Sequence, residues 1–395
     1  MNLRNNYFVK LIRYINNAYH IDKQIEHIHD KRVNPTLVGF LLRVTSFNQL
    51  SCMIKCDEFD SLITSKTRIP RIDAIRSSLK SIDLSGLRKL NKSIIRKAVR
   101  NKVLDEGTID GYTVAAIDGT RLFRTQKSHC DDCLYIINKE KAYYYHECSV
   151  MSLIGEGANL VIDYEMTKRK GNGKETSQSE IKTSKKLLNR AVSDYNGLID
   201  VLTYDALALT SQFINECLGL GIDAVIRVKG SYNLTINNVK RVTNKKDLII
   251  EWYEGNYRIR AYESIFDMPG VEQPLRYIKF AKKHKNGDHS QMLVVTTSMN
   301  MSIKTVYRIM KARWNIENRV FNNLKNNANL NHCFVHGGNA TEAVLYLMFI
   351  ASNLFQLFKV RRLRNHITLQ KELIRLLLKG LYLIENKDRL LFSSA

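Results

Sequence analysis

Three carboxylates stand out by type and setting in this 395-residue chain. Asp118 follows the apolar run Thr113-Val-Ala-Ala-Ile117 and is followed by Gly119-Thr120. Asp205 follows a second apolar run, Leu198 to Tyr204. A short apolar run reads as a buried strand, and the C-terminal edge of an open sheet is where sites form. Glu317 falls in a helical segment in which Val306, Met310, Trp314, Phe321 and Leu324 share a stripe at 3.6-residue spacing. A carboxylate in that stripe is expected to be partly buried, which is costly unless it meets a cation. Three acids brought together repel one another unless divalent ions sit between them. Oxygen-only ligation suits Mg²⁺, with Mn²⁺ as a substitute. Two such ions about 4 Å apart activate a water or a 3′-hydroxyl and stabilise a leaving oxygen. Asp118, Asp205 and Glu317 are therefore expected to be both catalytic and metal-binding. Asp110, Asp163, Glu165 and Asp200 are rival acids on or near the same strands; Asp200 precedes most of its strand and stands at the wrong end.

The elements that must position these acids follow from periodicity. Residues 1–105 read as short basic helices suited to a DNA-binding region, the alternative being a helical scaffold with a solvated basic face. From Tyr112 the texture changes. Strands are expected ending at Asp118 and over Tyr143–Ser152 and Asn159–Tyr164. A helix over Glu180–Val192, a strand ending at Asp205, a helix over Phe213–Leu218 and a strand over Ala224–Val228 follow. Three strands, a helix, a strand, a helix and a strand is the order of an RNase H-like α/β core. This first part of the core spans 106–229. Residues 230–298 read as a β-rich insertion, with strands over Leu248–Trp252, Tyr257–Tyr262, Leu275–Ala281 and Met292–Thr297 between polar turns. The helix of the catalytic Glu closes the core over 299–335, and a helical C-terminal region occupies 336–395. There the apolar stretch Ala343–Phe358 is shorter than a bilayer span and contains Ser352, Asn353 and Gln356, so a buried helix is expected rather than a membrane segment.

Charge points to the partner. Lys and Arg number 61 against 38 Asp and Glu, a formal +23, which attracts polyanions. Dense basic clusters, Lys168-Arg169-Lys170 and Lys359 to Arg364, fit folded surfaces better than a tail. A polar N-terminus and seven cysteines fit a reduced, cytoplasmic protein. The Cys130-Asp-Asp-Cys133 pair, with His129, His146 and Cys148 nearby, has ligands enough for zinc. A single Cys-x2-Cys is a weak signal, however, and the loop reads as one whose thiols bind nothing.

The segment Arg313-Trp-Asn-Ile-Glu317-Asn-Arg-Val-Phe321-Asn-Asn-Leu-Lys325 resembles the Arg-Trp-x-Ile-Glu…Phe…Leu-Lys signature of DDE transposases of bacterial insertion sequences, in the branch with a β-rich insert. Ile117-Asp118-Gly119-Thr120 and Thr203-Tyr204-Asp205-Ala206 are similar to its two Asp strands. In that family's Tyr-x2-Arg-x3-Glu-x6-Lys pattern, Met310 stands at the Tyr position and Lys325 falls one residue late. The resemblance implies metal-dependent DNA cleavage and strand transfer on the terminal inverted repeats of an element and on target DNA, by a homodimer in a synaptic complex. It implies DNA contacts by Arg313 and Lys325, and base stacking by Trp252. Trp314 is expected in the core beneath the site. The alternatives are an RNase H-like nuclease that never joins strands, or a transposase-derived DNA-binding protein without activity.

Overall fold

The computed structural model of the chain describes residues 6–21, 24, 34–56, 70–127, 129–168, 180–229, 234–364 and 370–383. Arg68, Ile69, Arg169 and Lys170 lie outside these.

A single sheet organises the molecule. Its core strands are β1 (Val114–Thr125), β3 (Lys141–Ile154), β4 (Val161–Met166), β5 (Val201–Tyr204) and β6 (Asp223–Val228). They lie in the order β4-β3-β1-β5-β6, with β1, β3 and β4 antiparallel and β5 and β6 parallel to β1 and to each other. This order and sense define an RNase H-like fold. A short strand, β2 (Leu134–Asn138), forms a hairpin with the outer part of β3. The first expectation needing correction concerns β1, which does not stop at Asp118. It runs on to Thr125 because β3 continues to pair with it, through a register shift between Arg121 and Arg124. What ends near Asp118 is the pairing with β5, limited to Val114–Val201, Ala115–Leu202 and Ala116–Thr203.

The insertion extends the same sheet. β7 (Ile250–Glu254), β8 (Tyr257–Phe266), β9 (Leu275–His284) and β10 (His289–Thr296) form an antiparallel meander, and β10 pairs antiparallel with β6. A helix over Leu234–Thr243, absent from the sequence expectation, packs on β8 and β9. Its last turn is tied down by the Thr243 hydroxyl, which hydrogen-bonds Ser264 Oγ at 2.8 Å.

Helices cover both faces of the core sheet. On one face lie α6 (Glu180–Asp194) and α7 (Ser211–Gly219), which bury Leu187, Leu188, Phe213 and Ile214 against Ile117, Leu202, Tyr204 and Ile226. The other face carries the N- and C-terminal helices, interleaved in one cluster. Here α1 (Tyr7–Tyr19), α2 (Asn34–Leu41), α3 (Phe47–Met53), α4 (Ile72–Ser81) and α5 (Leu84–Arg100) gather around the 26-residue α11 (Gly338–Leu363). By length and composition α11 is apolar enough to cross a membrane, but its apolar residues are buried against α2, α4, α5 and the sheet. The basic cluster Lys359–Arg364 closes α11, with the Arg362 guanidinium 5.2 Å from the centre of the Tyr14 ring.

Two buried amides join this helical layer to the sheet. Asn353 Oδ1 accepts from the Val161 N–H at 2.8 Å, and its Nδ2 donates to Val161 O and to Asn91 Oδ1, both at 2.8 Å. Asn91 Nδ2 donates to Val161 O at 3.1 Å and to Ile162 O at 2.8 Å. Backbone groups of a strand are thereby paired by side chains where no neighbouring strand does so.

Candidate active site

Asp118 and Asp205 are 87 positions apart, the same offset as the three β1–β5 pairs. The ladder ends at Ala116–Thr203 and β5 at Tyr204, so each acid stands two residues beyond the last paired position, at the same end of the two parallel strands. Asp118, two residues after the buried Ala116, lies on the face of β1 that meets the Glu317 segment. Asp118 is half-buried and accepts from the Gly119 N–H at 3.0 Å. Burial raises its proton affinity above the ordinary carboxylate range; Arg313 and the Gly119 N–H oppose this, while Asp205 and Glu317 reinforce it. The three acids anticipated from the sequence are thus electrostatic neighbours. Asp205 caps the turn after β5, its Oδ1 accepting from the Leu207 N–H at 2.9 Å, and its Oδ2 lies 3.0 Å from Lys229 Nζ.

The Glu317 segment departs from the expected regular helix. After α9 (Ile303–Ala312), residues Ile316–Phe321 form a π-helix that passes into α10 (Asn322–Ala328). A π-turn inserts an extra residue per turn and is frequent at functional sites. The apolar stripe consequently runs through Val306, Met310, Ile316, Val320, Phe321 and Leu324. Glu317 is exposed instead of half-buried, and Trp314, expected in the core, is 41% exposed. The Trp314 ring packs between the guanidiniums of Arg227, at 5.4 Å, and Arg313, at 4.9 Å. Arg313 itself is buried, 4% exposed, and its Nε has no hydrogen-bond partner among the described residues.

A fourth acid escaped the sequence reading. Glu180, in the first turn of α6, accepts from the Tyr204 hydroxyl at 2.9 Å. Burial, together with Asp118, Asp205 and Glu147, raises its proton affinity against that hydrogen bond. A Cβ at position 119 would stand 3.0 Å from Glu180 Oε1, so only glycine lets this carboxylate approach the Asp118 strand unhindered. The available signal was an acid at the start of the helix before the second Asp strand, which equally fits a dipole-stabilising residue.

The rival acids have other partners. Asp200 Oδ2 accepts from the Thr113 N–H at 2.7 Å, at the opposite end of the strands. Asp163 and Glu165 pair with Arg190 at 2.6 and 2.5 Å. Asp110 pairs with Arg308 and accepts from the Thr305 hydroxyl. Of the residues expected at DNA, Lys325 lies on α10 with its ammonium 5.9 Å from the Phe321 ring centre. Trp252, on β7, is half-buried with its ring against Tyr307, at 5.3 Å, and Phe280, at 6.2 Å. Tyr307 is buried, its hydroxyl donating to Glu254 Oε2 at 2.9 Å.

The loop expected to hold idle thiols joins a cluster of potential ligands. Cys130, Cys133 and His146 meet His336, from a segment 203 residues beyond Cys133, with all four ligand atoms within 4.8 Å of one another. His129 instead stacks on Tyr144, and Cys148 is buried in the core.

Comparison with known proteins bears on the whole arrangement. The family described as "Transposase DDE domain" matches residues 110–354, a span that contains all three acids, the insertion and most of α11. No curated protein matches the chain. Among solved structures, a piggyBac transposase synaptic complex with hairpin DNA is similar at 15% identity and a TM-score of 0.44, covering 89% of this chain and 70% of that one. Endonuclease V from Bacillus subtilis is similar at 10% identity and a TM-score of 0.26, covering 56% of this chain and 84% of that one.

Proposed function

Because the chain belongs to the DDE transposase family, we propose that it is the transposase of a bacterial insertion-sequence element, acting in the cytoplasm on the element's own ends. The observation that supports the catalytic part is that the β1–β5 ladder ends two residues before both Asp118 and Asp205, with Asp205 and Glu317 electrostatic neighbours of the Asp118 carboxyl.

Divalent metal ions are the general requirement of this family. The donor set here fits them: ionised carboxylates are acceptor-only, and Asp205 and Glu317 are like-charged neighbours of Asp118 whose repulsion a divalent cation would relieve. Asp118, Asp205 and Glu317 would hold a pair of Mg²⁺ ions, or Mn²⁺ in their place, which when bound activate the attacking water or 3′-hydroxyl and stabilise the leaving oxygen. The protein's own groups do the positioning. β1 and β5 fix two carboxylates on a rigid sheet edge, and the π-turn presents Glu317 outward. Arg313, buried beside Asp118, opposes the rise in proton affinity that burial causes there. Water attacks the end phosphodiester, and the freed 3′-hydroxyl then attacks target DNA without a covalent protein intermediate.

For DNA we assign the basic helices within 1–105, above all α5 with Lys89, Lys92, Arg96 and Arg100, and the face of the extended sheet. There Arg258, Arg260, Lys279, Lys282, Lys283 and His289 line a groove of about 650 Å³. Lys325 contacts phosphate, and Trp252 stacks on a base with the part of its ring outside the Phe280–Tyr307 cluster. The working form is a homodimer on paired ends.

The test is strand transfer with pre-cleaved ends in Mg²⁺. Joining to target DNA is the expected result. Hydrolysis without joining identifies a nuclease, and binding without turnover identifies a DNA-binding derivative; either result overturns the proposal.

A further inference from the structure

We infer that Cys130, Cys133, His146 and His336 bind one zinc ion in a closed, tetrahedral structural site, separate from the carboxylate site. For Zn–S near 2.3 Å and Zn–N near 2.0–2.1 Å, tetrahedral geometry demands S···S of about 3.8 Å and S···N of about 3.6 Å. The structure gives 3.7 Å between Cys130 Sγ and Cys133 Sγ. It gives 3.4 Å from each sulfur to His146 Nε2, and 3.1 Å from Cys133 Sγ to His336 Nε2. Three edges of the required tetrahedron are therefore present within about 0.2 Å, and the fourth, to His336, is about 0.5 Å short. A sulfur separation of 3.7 Å is far from that of a disulfide, about 2.05 Å, and both thiols are free.

The chemistry agrees with the geometry. Two sulfurs and two imidazoles form the donor set of structural zinc sites, and with four protein ligands no position is left open for catalysis. Two thiolates neutralise a Zn²⁺ ion, so the assembled centre can be buried without net charge, and the two thiol protons pass to solvent on binding. The surroundings are those of an ordered centre. His146 is 2% exposed, the Phe123 ring packs against both imidazoles, and the Cys130 N–H donates to Cys133 Sγ at 3.5 Å, which favours a thiolate there.

The position gives the site a task. Cys130 and Cys133 lie between β1 and β2, and His146 is on β3. His336 lies between α10, which continues the Glu317 segment, and α11. One ion would clamp the far end of the Asp118 strand to the chain leaving the Glu317 helix, closing a loop of about 200 residues. The zinc thereby holds two parts of the carboxylate site in register.

The experiment is metal analysis of the full chain, purified without a metal-affinity step. One zinc per chain is expected, and Co²⁺ substitution should give the visible absorption of tetrahedral cobalt with thiolate ligands. His336→Ala should lower zinc content about tenfold or more, whereas His336→Cys, which supplies another soft ligand, should retain it. After chelation the melting temperature should fall, to be restored by Zn²⁺ and not by Mg²⁺. Absence of zinc from the wild type together with no tetrahedral cobalt spectrum, an unchanged zinc content in His336→Ala, or recovery with Mg²⁺ alone overturns the inference. If His336→Ala does not fold, the cobalt spectrum of the wild type and the His336→Cys variant decide the matter.

Discussion

Replacing Asp205 by Asn separates chemistry from architecture at the carboxylate site. The amide is isosteric and its oxygen still accepts from the Leu207 N–H, so the turn after β5 keeps its cap. The lost element is the charge, and with it the pair to Lys229, whose side chain is 49% exposed. An ion pair that open is worth about 0–1 kcal/mol, so the melting temperature should move by no more than about 4 °C. Catalysis should suffer far more. The charge stabilisation that a metal clamp supplies in a transition state is several kcal/mol. A loss of about 4 kcal/mol, at 1.36 kcal/mol per factor of ten, corresponds to a rate lower by about 10³. The assay is single-turnover cleavage of an oligonucleotide carrying one element end in Mg²⁺, alongside mobility-shift binding at the same salt and a thermal melt. Cleavage down about a thousandfold with binding and melting intact is the expected pattern. Cleavage within tenfold of the wild type would remove Asp205 from the site, and joint loss of binding and stability would make its role structural.

Four further outcomes follow from the structure. Glu180→Gln keeps an acceptor for the Tyr204 hydroxyl but removes a charge felt by Asp118 and Asp205, and should raise the Mg²⁺ concentration for half-maximal cleavage about tenfold at unchanged melting temperature; an unaltered Mg²⁺ requirement would reduce Glu180 to a helix-start contact. Without divalent ions, the raised carboxyls of Asp118 and Glu180 bind protons more tightly folded than unfolded. Their stabilising contribution is therefore full below the ordinary carboxylate range and is lost as pH rises through the raised values; melting in chelator should show that decline and added Mg²⁺ should flatten it, while a contribution that grows with pH would contradict the assignment. Asn353→Leu strands the buried Val161 N–H and Asn91 Oδ1 and should cost about 2–4 kcal/mol by denaturant titration, a loss below about 1 kcal/mol counting against the amide bridge. Lys283→Ala and Arg260→Ala, both lining the groove on the extended sheet, should each lower the slope of log affinity against log salt by about 1, and unchanged slopes would move DNA elsewhere.

How much was legible in the sequence depended on the range of the interaction. The strands carrying or preceding Asp118 and Asp205 could be read because an apolar run ending in an acid encodes a buried strand. Even so, the run could not reveal that β1 continues to Thr125, since that depends on a partner, β3, supplied from elsewhere. Glu317 was singled out by its neighbours Arg313, Trp314 and Phe321, yet its burial and that of Trp314 were misread. A stripe drawn at 3.6 residues per turn assumes a regular helix, and nothing local announces a π-turn. The strands of the insertion were legible from polar turns and alternation, but their continuity with β6 was not, because the pairing partner lies some 70 residues away. The same limit hid the Cys–His cluster: three members fall within a 17-residue stretch, whereas the fourth, His336, comes from a distant loop.

The union of β10 with β6 has a mechanical consequence. A graft joined by two loops alone would swing, and any duplex lying on it would wander relative to the acids. Here ladder bonds run without interruption from the acid-bearing strands to the cationic outer ones. Shear between them would require breaking several backbone bonds at once. A duplex held on the outer strands, as proposed, would be presented to the carboxylates as though on one plank, and alignment of the scissile bond would be inherited from the protein's own weave.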